Sequence, residues 1–133
     1  MTAYLLFHMR EFDYTIYGIV RKNSAAMPFL LQYIEYLEKL EIGSSRKLVL
    51  LVGDITDQVF ILGSVMKSQP DEIYNFAAQS QVAHSFENAA STLHANAQGL
   101  LHICTSILTL NMEKKVKIFH ASTSEMYGDV DKR

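Results

Sequence analysis

The sequence predicts an α/β fold built on a parallel sheet, and three observations predict it. Four short apolar runs, residues 15–20, 47–52, 72–78 and 116–121, alternate with stretches of helical character. The second run, Leu48-Val49-Leu50-Leu51-Val52, is continuously apolar, as a strand covered on both faces must be. Each run ends in polar or small residues: Arg21-Lys22, Gly53-Asp54, Gln79-Ser80 and Ser122-Thr123. Ligands of open α/β sheets bind at the carboxyl ends of the strands. Right-handed crossovers place those ends on one edge, beside Arg21, Asp54, Gln79 and Thr123.

The elements follow in order. Leu5, Leu6, Met9 and Phe12 have a helical spacing, closed by Asp13. Residues 15–20 are β-rich, and Gly18 within them implies close approach of another backbone or helix. Pro28 opens the next helix, whose apolar stretch runs to Leu40 before Gly43-Ser44-Ser45. After the strand 47–52, Thr56 or Asp57 caps a helix that Pro70 stops. The strand 72–78 leads to a long helix over residues 88–110 and then to the strand 116–121. No repeat, low-complexity tract or linker divides the chain, so residues 1–133 read as one domain.

Composition removes several function classes. Twelve basic and 14 acidic residues give no electrostatic case for nucleic acid or a membrane surface. No apolar run reaches transmembrane length, and the first dozen residues lack a secretory pattern. A single cysteine, Cys104, permits no internal disulfide, suits a reducing compartment and reads as a buried inert thiol. These features place the protein in the cytoplasm. His8, His84, His94, His102 and His120 share no metal-ligand spacing, so no metal is assigned. His120 reads as a hydrogen-bonded core residue.

The chemistry-bearing stretch is Lys117-Ile118-Phe119-His120-Ala121-Ser122-Thr123-Ser124-Glu125-Met126-Tyr127-Gly128, a strand running into hydroxyls and a carboxylate. A hydroxyl two residues before an acid can orient a substrate oxygen while the acid moves a proton. The alternative is a serine-rich turn whose hydroxyls cap backbone groups. Arg21 and Lys22 suit the phosphate of a dinucleotide, or else form a solvated basic pair. Ala77-Ala78 leave room for a ligand, or else allow tight strand-to-helix packing.

This stretch resembles the Ser-Thr-Ser-Glu-Leu-Tyr-Gly signature of the GDP-mannose 4,6-dehydratases, within the extended short-chain dehydrogenase/reductase family. Gly18-Ile19-Val20-Arg21-Lys22 and Pro70-Asp71-Glu72-Ile73-Tyr74-Asn75-Phe76-Ala77-Ala78-Gln79-Ser80 match the same family in the same order. The resemblance implies a Rossmann-like, doubly wound parallel sheet that binds NADP. Arg21, Lys22 and Ser24 would then meet the extra phosphate, and Asp54 would lie along the adenine. Ala77, Ala78 and Gln79 would line the cofactor, with Ser80 and Ser124 at the sugar. Thr123 would hydrogen-bond the C4 oxygen of GDP-mannose, and Glu125 would remove the C5 proton and help the C6 hydroxyl leave. The implied reaction yields GDP-4-keto-6-deoxymannose, a step towards GDP-fucose, and the family implies a homo-oligomer. Asn96 and Gly99 stand where the family has an Asn or Asp and a Gly in the long helix.

Two family elements do not occur in the 133 residues: a Gly-x-x-Gly-x-x-Gly loop and a Tyr-x-x-x-Lys pair, Tyr127 being followed at that spacing by Asp131. The expectation is therefore a partial Rossmann-like domain without its first strand and without a C-terminal substrate domain, truncated at both ends. The competing expectation is a catalytically inactive fragment, or a regulatory binding partner of a full-length sugar-nucleotide dehydratase or epimerase.

Overall fold

The computed structural model describes residues 14–22, 24, 27–32, 47–78 and 88–122. The chain divides after Asp54 into two compact units, each described by itself. The expected helix over residues 3–12 lies outside the described residues, as does the greater part of the helix after Pro28.

The first unit holds β1 (Thr15–Val20), a helix α1 described over residues 27–32, and β2 (Lys47–Val52). The strands are parallel and in register from Thr15 opposite Lys47 to Val20 opposite Val52. Both strands coincide with the predicted runs, because β-branched and large apolar residues suit a pleated surface. The close approach expected at Gly18 comes from a side chain. A Cβ there would stand 3.2 Å from Leu50 Cδ2 on the neighbouring strand.

The second unit contains α2 (Gln58–Ser68), β3 (Glu72–Asn75), α3 (Ala89–Leu93), a π-helical turn (His94–Gln98), α4 (Gly99–Thr109) and β4 (Lys117–His120). Asp57 is the N-cap of α2, its carboxylate accepting from the Val59 and Phe60 amides, each at 3.0 Å. The helix ends at Gln69 in the left-handed region, φ 45°, ahead of Pro70. β3 and β4 are parallel, Glu72 opposite Lys117 and Asn75 opposite His120. Both are shorter than the predicted runs. β3 stops at Asn75 because its side-chain Oδ1 accepts from the Ala77 amide at 3.0 Å and turns the chain out of the ladder.

The core of this unit is the contact of α2 with α4. Ile61 and Val65 on one helix and Ile103 and Ile107 on the other follow i, i+4 spacing and are buried with Met112. Ile55, Phe60, Ile73, Leu110 and Val116 pack around them. Two buried serines are satisfied within their own helices: Ser64 Oγ donates to the Phe60 carbonyl and Ser106 Oγ to the His102 carbonyl, each at 2.7 Å. The other face of β3 and β4 carries Tyr74, Phe76 and Phe119, with ring centroids 5.9 to 6.5 Å apart.

The four described strands form two two-stranded sheets, β1–β2 and β3–β4, where the sequence predicts one. The pairing agrees with the doubly wound order 3-2-1-4-5, whose outer pairs are 3-2 and 4-5. The long helix is also interrupted, because residues 94–98 close i→i+5 bonds that periodicity cannot reveal.

Ile61 is 1% exposed and Val59, on the same helix, 79%. Ile61→Ala is therefore expected to cost about 2–5 kcal/mol through lost contacts and the cavity left behind. Val59→Ala should stay within about 0.5 kcal/mol. Chemical denaturation followed by circular dichroism measures both.

Candidate functional site

The parallel register brings the carboxyl ends of β1 and β2 together. The Gly53 amide donates to the Val20 carbonyl at 3.0 Å, so the residues following each strand emerge side by side. Arg21, Lys22, Gly53 and Asp54 line a cleft of about 490 Å³ there. Arg21 and Lys22 are exposed and Asp54 is half-buried. Behind them the chain is held by a turn in which the Ser24 amide donates to the Arg21 carbonyl and the Met27 amide to the Ser24 carbonyl, both at 3.0 Å. Two cations at the mouth of a concave strand end suit an anion such as a phosphate. A bidentate guanidinium supplies the directional part of that recognition.

The second unit gathers a different set at the ends of β3 and β4. Ala77 and Ala78 follow Asn75 and are exposed. The Ala121 amide donates to the Asn75 carbonyl at 3.1 Å, holding the two strand ends together. Ser122 then takes a left-handed conformation, φ 59°, where a residue with a Cβ is strained. This bends the chain at the first residue of the Ser-Thr-Ser-Glu motif. Gln79, Ser80, Thr123, Ser124 and Glu125 lie outside the described residues. Of the predicted site residues, Arg21, Lys22 and Asp54 share the cleft in the first unit, and Ala77 and Ala78 sit at the strand end in the second.

α4 clasps the turn that follows Asp54. His102 Nδ1 lies 3.0 Å from the Ile55 carbonyl oxygen. A carbonyl only accepts, so Nδ1 carries the ring proton. Gln58 Nε2 donates to Ser106 Oγ one turn further along, at 3.2 Å. Gly99 lies close against Ile55: a Cβ there would meet three Ile55 side-chain carbons at 2.9, 3.0 and 3.1 Å. Sequence reasoning missed Asn75 and Ile55. An Asn two residues before a small residue at a strand end was the available signal for the first. Ile55 carries no local signal, since its role depends on a helix more than 40 positions away.

Among the described residues no three His, Cys, Asp or Glu side chains cluster as a metal site. No helix among them is long and apolar enough to cross a membrane. Cys104 is half-buried and unpaired with another cysteine.

Parallel strand pairs joined through helices, with polar residues gathered where the strands end, define a Rossmann-type α/β protein. Solved structures agree. An X-ray structure of Pen from Bacillus thuringiensis matches with a TM-score of 0.68 at 18% identity, over 90% of this chain and 34% of that one. A UDP-glucose 4-epimerase matches with a TM-score of 0.55 at 26% identity, over 67% of this chain and 26% of the other. The family model for GDP-mannose 4,6 dehydratase matches residues 2–133, and the chain belongs to that family.

Similar curated proteins include the GDP-mannose 4,6 dehydratase of Drosophila melanogaster, 37% identical over 128 residues, covering 96% of this chain and 32% of that protein. The Sinorhizobium fredii enzyme is 37% identical over 126 residues, covering 95% and 35%. The Homo sapiens enzyme is 33% identical over 128 residues, covering 96% and 34%. The chain thus spans about a third of the length of the curated relatives it matches.

The close approach at Gly99 separates two glycine substitutions. Gly63→Ala meets nothing within 4 Å and should stabilise α2 by about 0.5–1 kcal/mol through helix propensity. Gly99→Ala drives a methyl into the stiff, branched Ile55 side chain and should cost about 1–3 kcal/mol despite the same propensity gain. Paired denaturation curves check the opposite signs.

Proposed function

We propose that this chain supplies the cofactor-contacting and proton-transfer residues of an NADP-dependent GDP-mannose 4,6-dehydratase, a lyase. The observation that carries the reading is the cleft of Arg21, Lys22, Gly53 and Asp54 at the ends of two parallel strands, in a chain of that family. The donor set fits a phosphorylated dinucleotide. Arg21 and Lys22, with Ser24 in the adjoining turn, hold the extra phosphate, and Asp54 borders the adenine side. Ala77 and Ala78 keep the strand end open for the cofactor, with Gln79 beyond them. When bound, NADP supplies the hydride acceptor and donor of the reaction.

The remaining roles belong to this chain's own side chains. Thr123 hydrogen-bonds the C4 oxygen of GDP-mannose and orients it. Ser80 and Ser124 contact the sugar. Glu125 takes the C5 proton and returns one to the departing C6 hydroxyl, which expels water as a neutral leaving group. The product of that elimination is GDP-4-keto-6-deoxymannose. The assembly is a cytoplasmic homo-oligomer.

Cofactor choice tests the cleft. NADP is expected to bind about ten- to a hundredfold more tightly than NAD, since a charge-assisted contact contributes about 1.5–3 kcal/mol. Arg21→Ala should abolish the difference. Equal calorimetric affinities in the parent chain, with Arg21→Ala neutral, would refute the assignment.

Glu125 is tested in an active dehydratase carrying this segment. Glu125→Gln keeps the shape and cannot accept a proton, so turnover should fall about a hundredfold or more. Oxidation at C4, followed in a single turnover, should survive better than elimination.

A further inference from the structure

Asn75 and His120 end β3 and β4 as partners in register. Register partners on neighbouring strands point to the same face, here the face on which Ile73 meets the α2–α4 core. Asn75 is 4% exposed. One bond sets its amide orientation: the Ala77 N–H donates to Oδ1 at 3.0 Å, and only the oxygen of the amide can accept. Nδ2, with two donors, is therefore the other branch, and it is buried with no hydrogen-bond partner. The only other buried side-chain nitrogen or oxygen left unpartnered among the described residues is Nδ1 of His120. The second ring nitrogen, Nε2, is not among the buried unpartnered atoms and makes no hydrogen bond.

A neutral imidazole has one donor and one acceptor nitrogen. A proton on His120 Nδ1 would leave two buried donors on register partners, neither able to satisfy the other, which native interiors avoid. The assignment that satisfies both has Asn75 Nδ2–H donating and His120 Nδ1 accepting, either directly after a small side-chain rotation or through one bridging water. The ring proton then resides on Nε2. His102 provides the opposite case in the same chain, its Nδ1–H donating to the Ile55 carbonyl.

We infer that Asn75 is a positioning residue that holds His120 in the Nε2–H tautomer, so that His120 offers an N–H donor to an oxygen of a nucleotide ligand at the ends of β3 and β4. The same Asn75 shapes that end through its two other bonds, to the Ala77 and Ala121 amides. The ligand chemistry is an acceptor oxygen, on a phosphate, hydroxyl or carbonyl group. The dinucleotide and the nucleotide sugar both carry such oxygens. The tautomer assignment stands on geometry alone, while the ligand role rests on the nucleotide-binding reading above.

Long-range proton–nitrogen correlation spectra of the full chain at about pH 8, above the ordinary imidazole range, read both rings at once. The expected spectrum shows His120 protonated on Nε2 and His102 on Nδ1. Asn75→Asp replaces the donors with an acceptor of the same shape and should reverse His120 while leaving His102 unchanged. Titration with NADP and, separately, with GDP-mannose identifies which ligand moves the His120 Nε2 signal. His120→Phe should weaken that ligand about three- to tenfold. A wild-type His120 protonated on Nδ1 overturns the tautomer assignment without recourse to any variant, and an unchanged tautomer in Asn75→Asp overturns the positioning role. Wild-type binding that His120→Phe leaves intact overturns the donor role alone. Failure of the wild type to bind either ligand overturns the donor role together with the nucleotide-binding reading, and the tautomer result is decided independently.

Discussion

Packing of α2 against α4 is the constraint on which the second unit depends. Ile61, Val65, Ile103 and Ile107 exclude water between the two helices, and burial of such side chains is the dominant favourable term in folding. Because Ile73 and Val116 join that cluster, the same core sets where β3 begins and where β4 is approached. The ladder from Glu72 opposite Lys117 to Asn75 opposite His120 follows from it. The strand ends are positioned by apolar contacts several residues away.

The first unit relies on backbone pairing. Six residues of β1 lie opposite six of β2, and the Gly53 amide extends the ladder to the Val20 carbonyl. Arg21 and Lys22 therefore leave one strand beside Asp54 leaving the other. A basic pair alone is an ordinary solvated feature. Its placement at a concave strand end, where ligands of open α/β sheets bind, is what suits it to a phosphorylated ligand.

Polar groups at the second strand end act in concert. Asn75 accepts the Ala77 and Ala121 amides through its side-chain and backbone oxygens, while Ser122 bends the chain in the left-handed region. A turn built this way leaves Ala77 and Ala78 exposed after β3. Strain at Ser122 is tolerable because the preceding strand is held against β3 twice over, by the ladder and by the aromatic contact of Phe119 with Tyr74 and Phe76.

Local chemistry was legible in the chain itself. The strands at 15–20 and 47–52, the Asp57 cap and the stop before Pro70 were all readable, because β-branched runs, capping side chains and proline act within a few residues. Arg21, Lys22 and Asp54 could be named as candidates for the same reason: each lies within two residues of a strand end. The π-helical turn at 94–98, the approach of Gly99 to Ile55 and the division of four strands into two sheets were decided only by tertiary structure. Each depends on which distant surfaces meet, and no window of neighbouring residues records that. The pairing of Asn75 with His120 is of the same kind: 45 positions separate them, and only the parallel register of β3 and β4 puts their unpartnered nitrogens on one face.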